Sequence, residues 1–217
     1  MSHHNLMLKI IFVFTLPLSH DALAELVEVI KINKNIRLDV RYATINNFTG
    51  KIIYPSAKCY LQKEAAKALS KVQKDLEKTG LCLKVFDGYR PLSVQKIFWD
   101  LLKNRYPNPF KRCLYVANPT LGSKHNRGGA VDVTLVDLRT GKELKMPSEF
   151  DDFSEKAHKN YGNMTKSTKK NCKLLEAVMI KHGFTGNSKE WWHFNFNGWE
   201  QYPILDISFD ALASKSS

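Results

Sequence analysis

Sulfur chemistry has little to work with in this chain. Four cysteines stand at 59, 82, 113 and 172, and no two are close enough to form the paired-thiol motif of a zinc finger or a thioredoxin-type site. An even number permits two disulfides in an oxidising compartment, with three connectivities open; Cys82, in an apolar strand-like run, reads equally well as a small buried hydrophobe. Residues 25–217 contain no internal repeat, no low-complexity tract and no Pro/Gly/Ser-rich linker, so one domain is expected. Acidic residues are also short, 21 against 33 basic ones, leaving a formal net charge of +12. Lysines 166, 169, 170, 173 and 181 crowd around one helical pattern. The interleaved stacking aromatics of a single-strand reader are missing there, so the cluster reads as a solvated face and nucleic-acid binding is not expected.

The apolar stretch Ile10–Leu18 is too short to span a bilayer and is interrupted by Pro17. It follows Lys9 and precedes Ala22-Leu23-Ala24, a small-x-small cleavage pattern, so residues 1–24 read as a secretory signal cut after Ala24. The mature chain is then expected in the periplasm or outside the cell, with no stable membrane insertion. Removing the segment takes away Lys9 and Asp21, which leaves the charge at +12 and implies loose attraction to anionic envelope polymers. It also removes His3, His4 and His20, leaving His125, His158, His182 and His193.

Along the rest of the chain, Arg37–Tyr42 alternates like a strand and runs into the turn-rich Asn46–Gly50. Between Gln62 and Lys78 apolar residues fall at 65, 66, 69, 72 and 76, the spacing of an amphipathic helix, with Gly80 placed to cap it. Leu81–Phe86 reads as a buried strand. Pro91 then begins a helix whose inner face would be Val94, Ile97, Phe98 and Leu101, which puts Arg90 at a strand-to-helix junction. Further on, Val131–Leu135 and Trp192–Phe196 read as strands and Cys172–His182 as a helix ended by Gly183. Strands and helices mix without regular alternation, which favours an α+β domain.

Two segments carry the chemistry. Ser123-Lys-His-Asn-Arg-Gly-Gly-Ala-Val-Asp132 and Glu190-Trp-Trp-His193 together offer two imidazoles, one metal-binding carboxylate and one spare glutamate. His125 and Asp132 are too far apart for one helical face, so a loop freed by Gly128 and Gly129 must bring them to one ion, with His193 arriving from elsewhere. Three such ligands leave a tetrahedral zinc with one open position, the mark of a catalytic rather than a structural site. Glu190, left over from that set, is the candidate base for a water activated there. Arg90 is placed to stabilise negative charge on a carbonyl oxygen, oriented by Asp87. Taken singly, each residue has an ordinary alternative: a satisfied polar histidine, a turn aspartate, a surface glutamate before an aromatic core run, a salt-bridged arginine.

The ordered set Arg41-Tyr-Ala-Thr-Ile-Asn-Asn-Phe-Thr-Gly50, Asp87-Gly-Tyr-Arg-Pro91, Ser123–Leu135, Phe150-Asp151 and Glu190–His193 resembles the VanX-type D-alanyl-D-alanine dipeptidases over nearly the whole mature chain. Those zinc enzymes share a fold with D,D-carboxypeptidases and the Hedgehog signalling domain. The resemblance implies a single α+β domain with a central antiparallel sheet flanked by helices, and one zinc ion on His125, Asp132 and His193. It makes Glu190 the general acid/base and Arg90 the stabiliser of the tetrahedral intermediate. It also lines a pocket for D-Ala-D-Ala with Tyr42, Ser123 and Asp151, the last pairing with the substrate ammonium. Gly129 and Val131 vary the metal motif without touching a ligand. Export is the larger departure and turns the expected role toward scavenging or wall remodelling. The alternatives are a carboxypeptidase of the same fold trimming wall stem peptides, and a noncatalytic zinc-holding wall-binding module.

Overall fold

The computed structural model describes residues 25–214; the expected signal segment, residues 1–24, lies outside the described residues, as do 215–217. The core is a five-stranded sheet in the order β2 (Arg37–Leu38), β4 (Leu81–Asp87), β5 (Ala130–Asp137), β7 (His193–Phe196), β6 (Phe184–Gly186). Every pairing is antiparallel except β2 with β4, so the expected antiparallel sheet carries one parallel edge strand. A separate antiparallel pair joins β1 (Leu26–Glu28) to β3 (Tyr60–Gln62), with the single-turn helix α1 (Val29–Ile32) following β1.

Strand β5 is buried from Ala130 to Val136, which is why its sequence is nearly continuous in apolar residues rather than alternating. Helix α2 (Lys63–Glu77) lies against β4 and against α5 (Lys166–Lys181), which also contacts β5 and β6. Ala65, Ala66, Leu69, Val72 and Leu76 of α2 are all buried, as the helical spacing predicts. Burying Leu69 fully contributes about 1.5–3 kcal/mol. Gly80 follows the helix with φ +75°, a conformation that costs glycine little.

Three expectations need correction. The strand expected from Arg37 to Tyr42 stops at Leu38, and the chain turns into a 3-10 turn at Arg41–Ala43 that buries Arg41 and Tyr42 together, where a strand would have placed neighbours on opposite faces. Helix α3 (Leu92–Leu101) starts after Pro91 as expected, but Phe98 and Gln95 are its buried residues, while Ile97 and Leu101 are 45% and 38% exposed. Finally, α5 begins at Lys166, six residues before the expected Cys172: Thr165 caps it, its Oγ1 accepting from Thr168 N at 3.1 Å, and its lysine-rich first turns hide the apolar pattern. Two short helices, α4 (Pro109–Arg112) and α6 (Phe209–Ser214), complete the α-helices among the described residues. All four cysteines are unpaired, with Cys59, Cys82 and Cys172 buried and Cys113 exposed. Among the described residues no helix is long and apolar enough to cross a membrane.

Candidate active site

Sheet register assembles the site. A bulge between Val85 and Asp87 shifts the β4–β5 pairing so that Asp87 faces Asp132, and Asp132 in turn pairs with His193 across β5 and β7. His125 comes in from a 3-10 turn, His125–Arg127, before β5. Two things hold this turn. Buried Asn126 donates from Nδ2 to Arg90 O at 2.8 Å and accepts from Ser123 N at 2.6 Å, and Arg90 N donates to His125 O at 3.1 Å. Gly128 closes the turn at φ +65°, where a Cβ would also lie 2.5 Å from Leu26 Cδ2. Gly129 acts differently from the freedom its position suggests, since its φ is not positive; a Cβ there would meet Trp199 Cβ at 2.6 Å and its Cα at 3.3 Å, so it makes room for the close approach of the Trp199 backbone.

Three donor atoms converge. His193 Nδ1 lies 2.9 Å from Asp132 Oδ1 and 3.1 Å from His125 Nε2, and His125 Nε2 lies 3.5 Å from Asp132 Oδ1. Donors on a tetrahedral zinc with bonds near 2.0–2.1 Å are ~3.3 Å apart, so the triangle has the dimensions of three zinc ligands. Outer partners set the imidazole tautomers. His125 Nδ1 donates to Gly88 O at 2.7 Å and His193 Nε2 to Asn195 Oδ1 at 2.8 Å, which leaves a lone pair on each inward nitrogen. Two lone pairs 3.1 Å apart beside a carboxylate repel one another, and a cation at their centre removes the repulsion. The residues present therefore fit a single zinc ion.

Glu190 stands beside this set rather than in it. Its Oε2 is 4.0 Å from His193 Nδ1 and accepts from Asn187 Nδ2 at 2.7 Å. The three-residue spacing has a local cause: His193 N donates to Glu190 O at 3.2 Å, closing a tight turn at the base of the β6–β7 hairpin.

Arg90 is buried beneath the pocket. Its Nε and Nη2 donate to Asp87 Oδ2 at 3.2 and 2.6 Å, and its Nη1 to Gln95 Oε1 at 2.9 Å. The other Asp87 oxygen accepts from Tyr54 Oη at 2.8 Å and Gly88 N at 2.9 Å. Burial alone would favour loss of the guanidinium charge, but the Asp87 carboxylate outweighs it and holds the pKa above its ordinary value. Two of five donors stay unused and available to an oxyanion.

These groups line a cavity of about 460 Å³ together with Tyr42, Ser123, Asp151, Lys124 and Trp199. Ser123 Oγ accepts from His125 N at 3.2 Å. Tyr42 Oη donates to the Asp151 carboxyl at 3.1 and 3.2 Å, and the same tyrosine ring lies 5.4 Å from the Arg90 guanidinium. Burial, and then the charge of Asp132, push the Asp151 carboxyl up to about 8. Asp151 has φ +62°, the one positive φ outside glycine among the described residues. All eight residues singled out from the sequence thus meet at one cavity. Sequence reasoning missed Gln95, Asn126, Asn187 and Asn195, which hold Arg90, the histidine turn, Glu190 and His193. Uncharged amides carry no spacing signal, and each acts through a contact that exists only after folding.

A family model described as D-ala-D-ala dipeptidase matches residues 22–208. The chain is 37% identical over 190 residues to the D-alanyl-D-alanine dipeptidase of Escherichia coli K12, covering 88% of this chain and 94% of that one. It is 32% identical over 186 residues to the D-alanyl-D-alanine dipeptidase of Enterococcus faecium, covering 80% and 92%. Among solved structures, the LdcB LD-carboxypeptidase is similar over 65% of this chain and 61% of its own, at 25% identity and a TM-score of 0.45. VanYB, solved in complex with D-alanine-D-alanine, is similar over 68% and 77%, at 17% identity and a TM-score of 0.44.

Proposed function

The chain belongs to the D-Ala-D-Ala dipeptidase family of M15 peptidases, and from that premise we propose that it hydrolyses D-alanyl-D-alanine to two D-alanines with one zinc ion held by His125, Asp132 and His193. The observation that carries the reading is the triangle of inward lone pairs with Glu190 standing 4.0 Å off it. When bound, zinc polarises the scissile carbonyl and lowers the pKa of a water. Glu190 is free to move protons because its carboxylate is not one of the three converging donors. Asn187 holds the carboxylate in place, and the carboxylate takes the proton from the attacking water and returns it to the leaving amine nitrogen. The two unused Arg90 donors face charge developing on the carbonyl oxygen; Asp87 and Gln95 hold the guanidinium still, so it need not reorganise as charge forms. Asp151 receives the substrate ammonium, with Tyr42 fixing the carboxyl and Ser123 on the wall near His125.

Export by the segment 1–24 places this activity in the periplasm or outside the cell, on dipeptide released from peptidoglycan. The basic surface supports loose attraction to the anionic envelope. The test is release of free D-alanine from D-Ala-D-Ala by zinc-loaded protein, with L-Ala-L-Ala and an N-acetylated analogue beside it. Turnover of the free dipeptide alone is expected. Equal or better cleavage of the blocked analogue would turn the assignment to a carboxypeptidase, and no turnover at all to a noncatalytic module.

A further inference from the structure

A second cavity, of about 560 Å³, lies behind the first. Three stretches of chain form the wall between them: Arg41 and Tyr42, Phe150 and Asp151, Trp191 and Trp192. In each pair the first residue lines the second cavity and the next lines the catalytic one. The wall is packed from within, since the Phe150 ring centroid lies 4.9 Å from that of Phe86 and 5.3 Å from that of Trp192.

Arg41 distinguishes this second cavity. Three arginines are buried among the described residues, and two of them use terminal nitrogens in hydrogen bonds: Arg90 to Asp87 and Gln95, Arg112 to Pro107 O. Arg41 engages only its Nε, which donates to Asp39 Oδ2 at 3.0 Å. Its Nη2 is 3.9 Å from Glu143 Oε1, beyond hydrogen-bond reach, and that oxygen already accepts from Lys84 Nζ at 2.8 Å. The guanidinium is nonetheless held still, its central carbon 4.7 Å from the centroid of the Phe86 ring. A planar fork fixed at one end, with both terminal nitrogens lacking an acceptor among the described residues, matches the two oxygens of a carboxylate.

The remaining lining sets the kind of molecule. Phe150, Trp191, Met146 and Pro147 give apolar walls, and Lys145 and Lys156 stand exposed at the rim. Glu149 and Asp152 add carboxylates that pair with no cation among the described residues. Acids beside cations disfavour a polyanion and suit a molecule carrying both a carboxylate and an amine. The space also exceeds the 460 Å³ of the cavity assigned to a dipeptide.

We propose that this cavity is a second peptide site, in which the Arg41 fork holds the terminal carboxylate of a short peptide, its body lies on Phe150 and Trp191, and its ammonium meets Glu149 or Asp152. It stands one wall away from the catalytic cavity and does not depend on the dipeptidase reading.

The four tryptophans supply the test, because each gives its own indole N–H signal in a proton–nitrogen correlation spectrum. Trp191 lines the second cavity, where its Nε1 donates to Ser148 Oγ at 3.0 Å; Trp192 and Trp199 line the catalytic one; Trp99 lines neither. The probes are D-Ala-D-Ala-D-Ala and its C-terminal amide, titrated into zinc-loaded Glu190→Gln so that no turnover enters the reading. The acid should shift Trp191 along a saturation curve distinct from that of Trp199, leave Trp99 in place, and bind about tenfold more tightly than the amide, as expected for a hydrogen bond to a charged group. Adding Arg41→Gln should remove that preference. A Trp191 signal that stays still, or only follows Trp199, would put the peptide in the catalytic cavity and overturn the proposal, as would equal binding of acid and amide. Should Arg41→Gln fail to fold, its indole signals will collapse together, and the comparison of acid with amide in the unaltered cavity still decides.

Discussion

Asp151 should make the metal-free protein lose stability as the pH rises, and Asp151→Asn should abolish that loss. The folded carboxyl titrates at about 8 because it is buried and faces Asp132, against 3.8 for the ordinary group. A folded pKa above the unfolded one means that the folded state binds the proton more tightly. The contribution is therefore fully present below pH 4 and is lost as the pH climbs through 8. One pH unit within that window is worth ~1.36 kcal/mol, so a carboxyl that stays fully desolvated would cost ~5 kcal/mol by pH 8, and the partial exposure of Asp151 brings this to roughly half. Asparagine is the right probe. It keeps an oxygen for the Tyr42 hydroxyl, it cannot ionise, and it tolerates the left-handed backbone at φ +62°. In chelator-treated protein the two melting curves should coincide near pH 4, and the variant should melt ~5–10 °C higher at pH 8, given ~2–4 °C per kcal/mol for a domain of this size. Parallel curves across that range would refute the buried, proton-holding carboxyl.

Glu190→Gln should retain zinc, measured by metal analysis of dialysed protein, and lose on the order of 10²–10⁴-fold in turnover, the usual share of a proton-transfer group. His193→Ala should lose both metal and turnover; a fully active Glu190→Gln would remove the assigned base. Gly129→Ala places a Cβ 2.6 Å from Trp199 Cβ and 3.3 Å from its Cα, so thermal melts should show a loss of about 1–3 kcal/mol, and no loss would mean the turn at Trp199–Gln201 yields freely. Sequencing the exported protein should find Glu25 at its N-terminus, whereas Met1 would contradict cleavage after Ala24.

The residues that do chemistry were legible because chemistry restricts their type. Two histidines, an aspartate and an unspent glutamate in two short segments already suggest a metal with a base beside it, and the strands at 131–135 and 192–196 were visible because burial demands apolar runs. What the sequence concealed is the geometry that turns those residues into a site. The β4–β5 bulge after Val85, which sets Asp87 against Asp132, leaves no mark in composition or period. The same holds for Ile97 and Leu101, which the helical period assigned inward: α3 buries little besides Gln95 and Phe98, and Gln95 is inside because Arg90 needs an acceptor. Such amides are invisible to hydrophobic patterning, since their burial follows from the partner they satisfy rather than from their own polarity. Gly129 makes the same point from the other side. Its neighbour Gly128 is required by backbone conformation, which a turn-rich sequence announces, whereas Gly129 is required by the Cα and Cβ of Trp199, a residue seventy positions away in the chain.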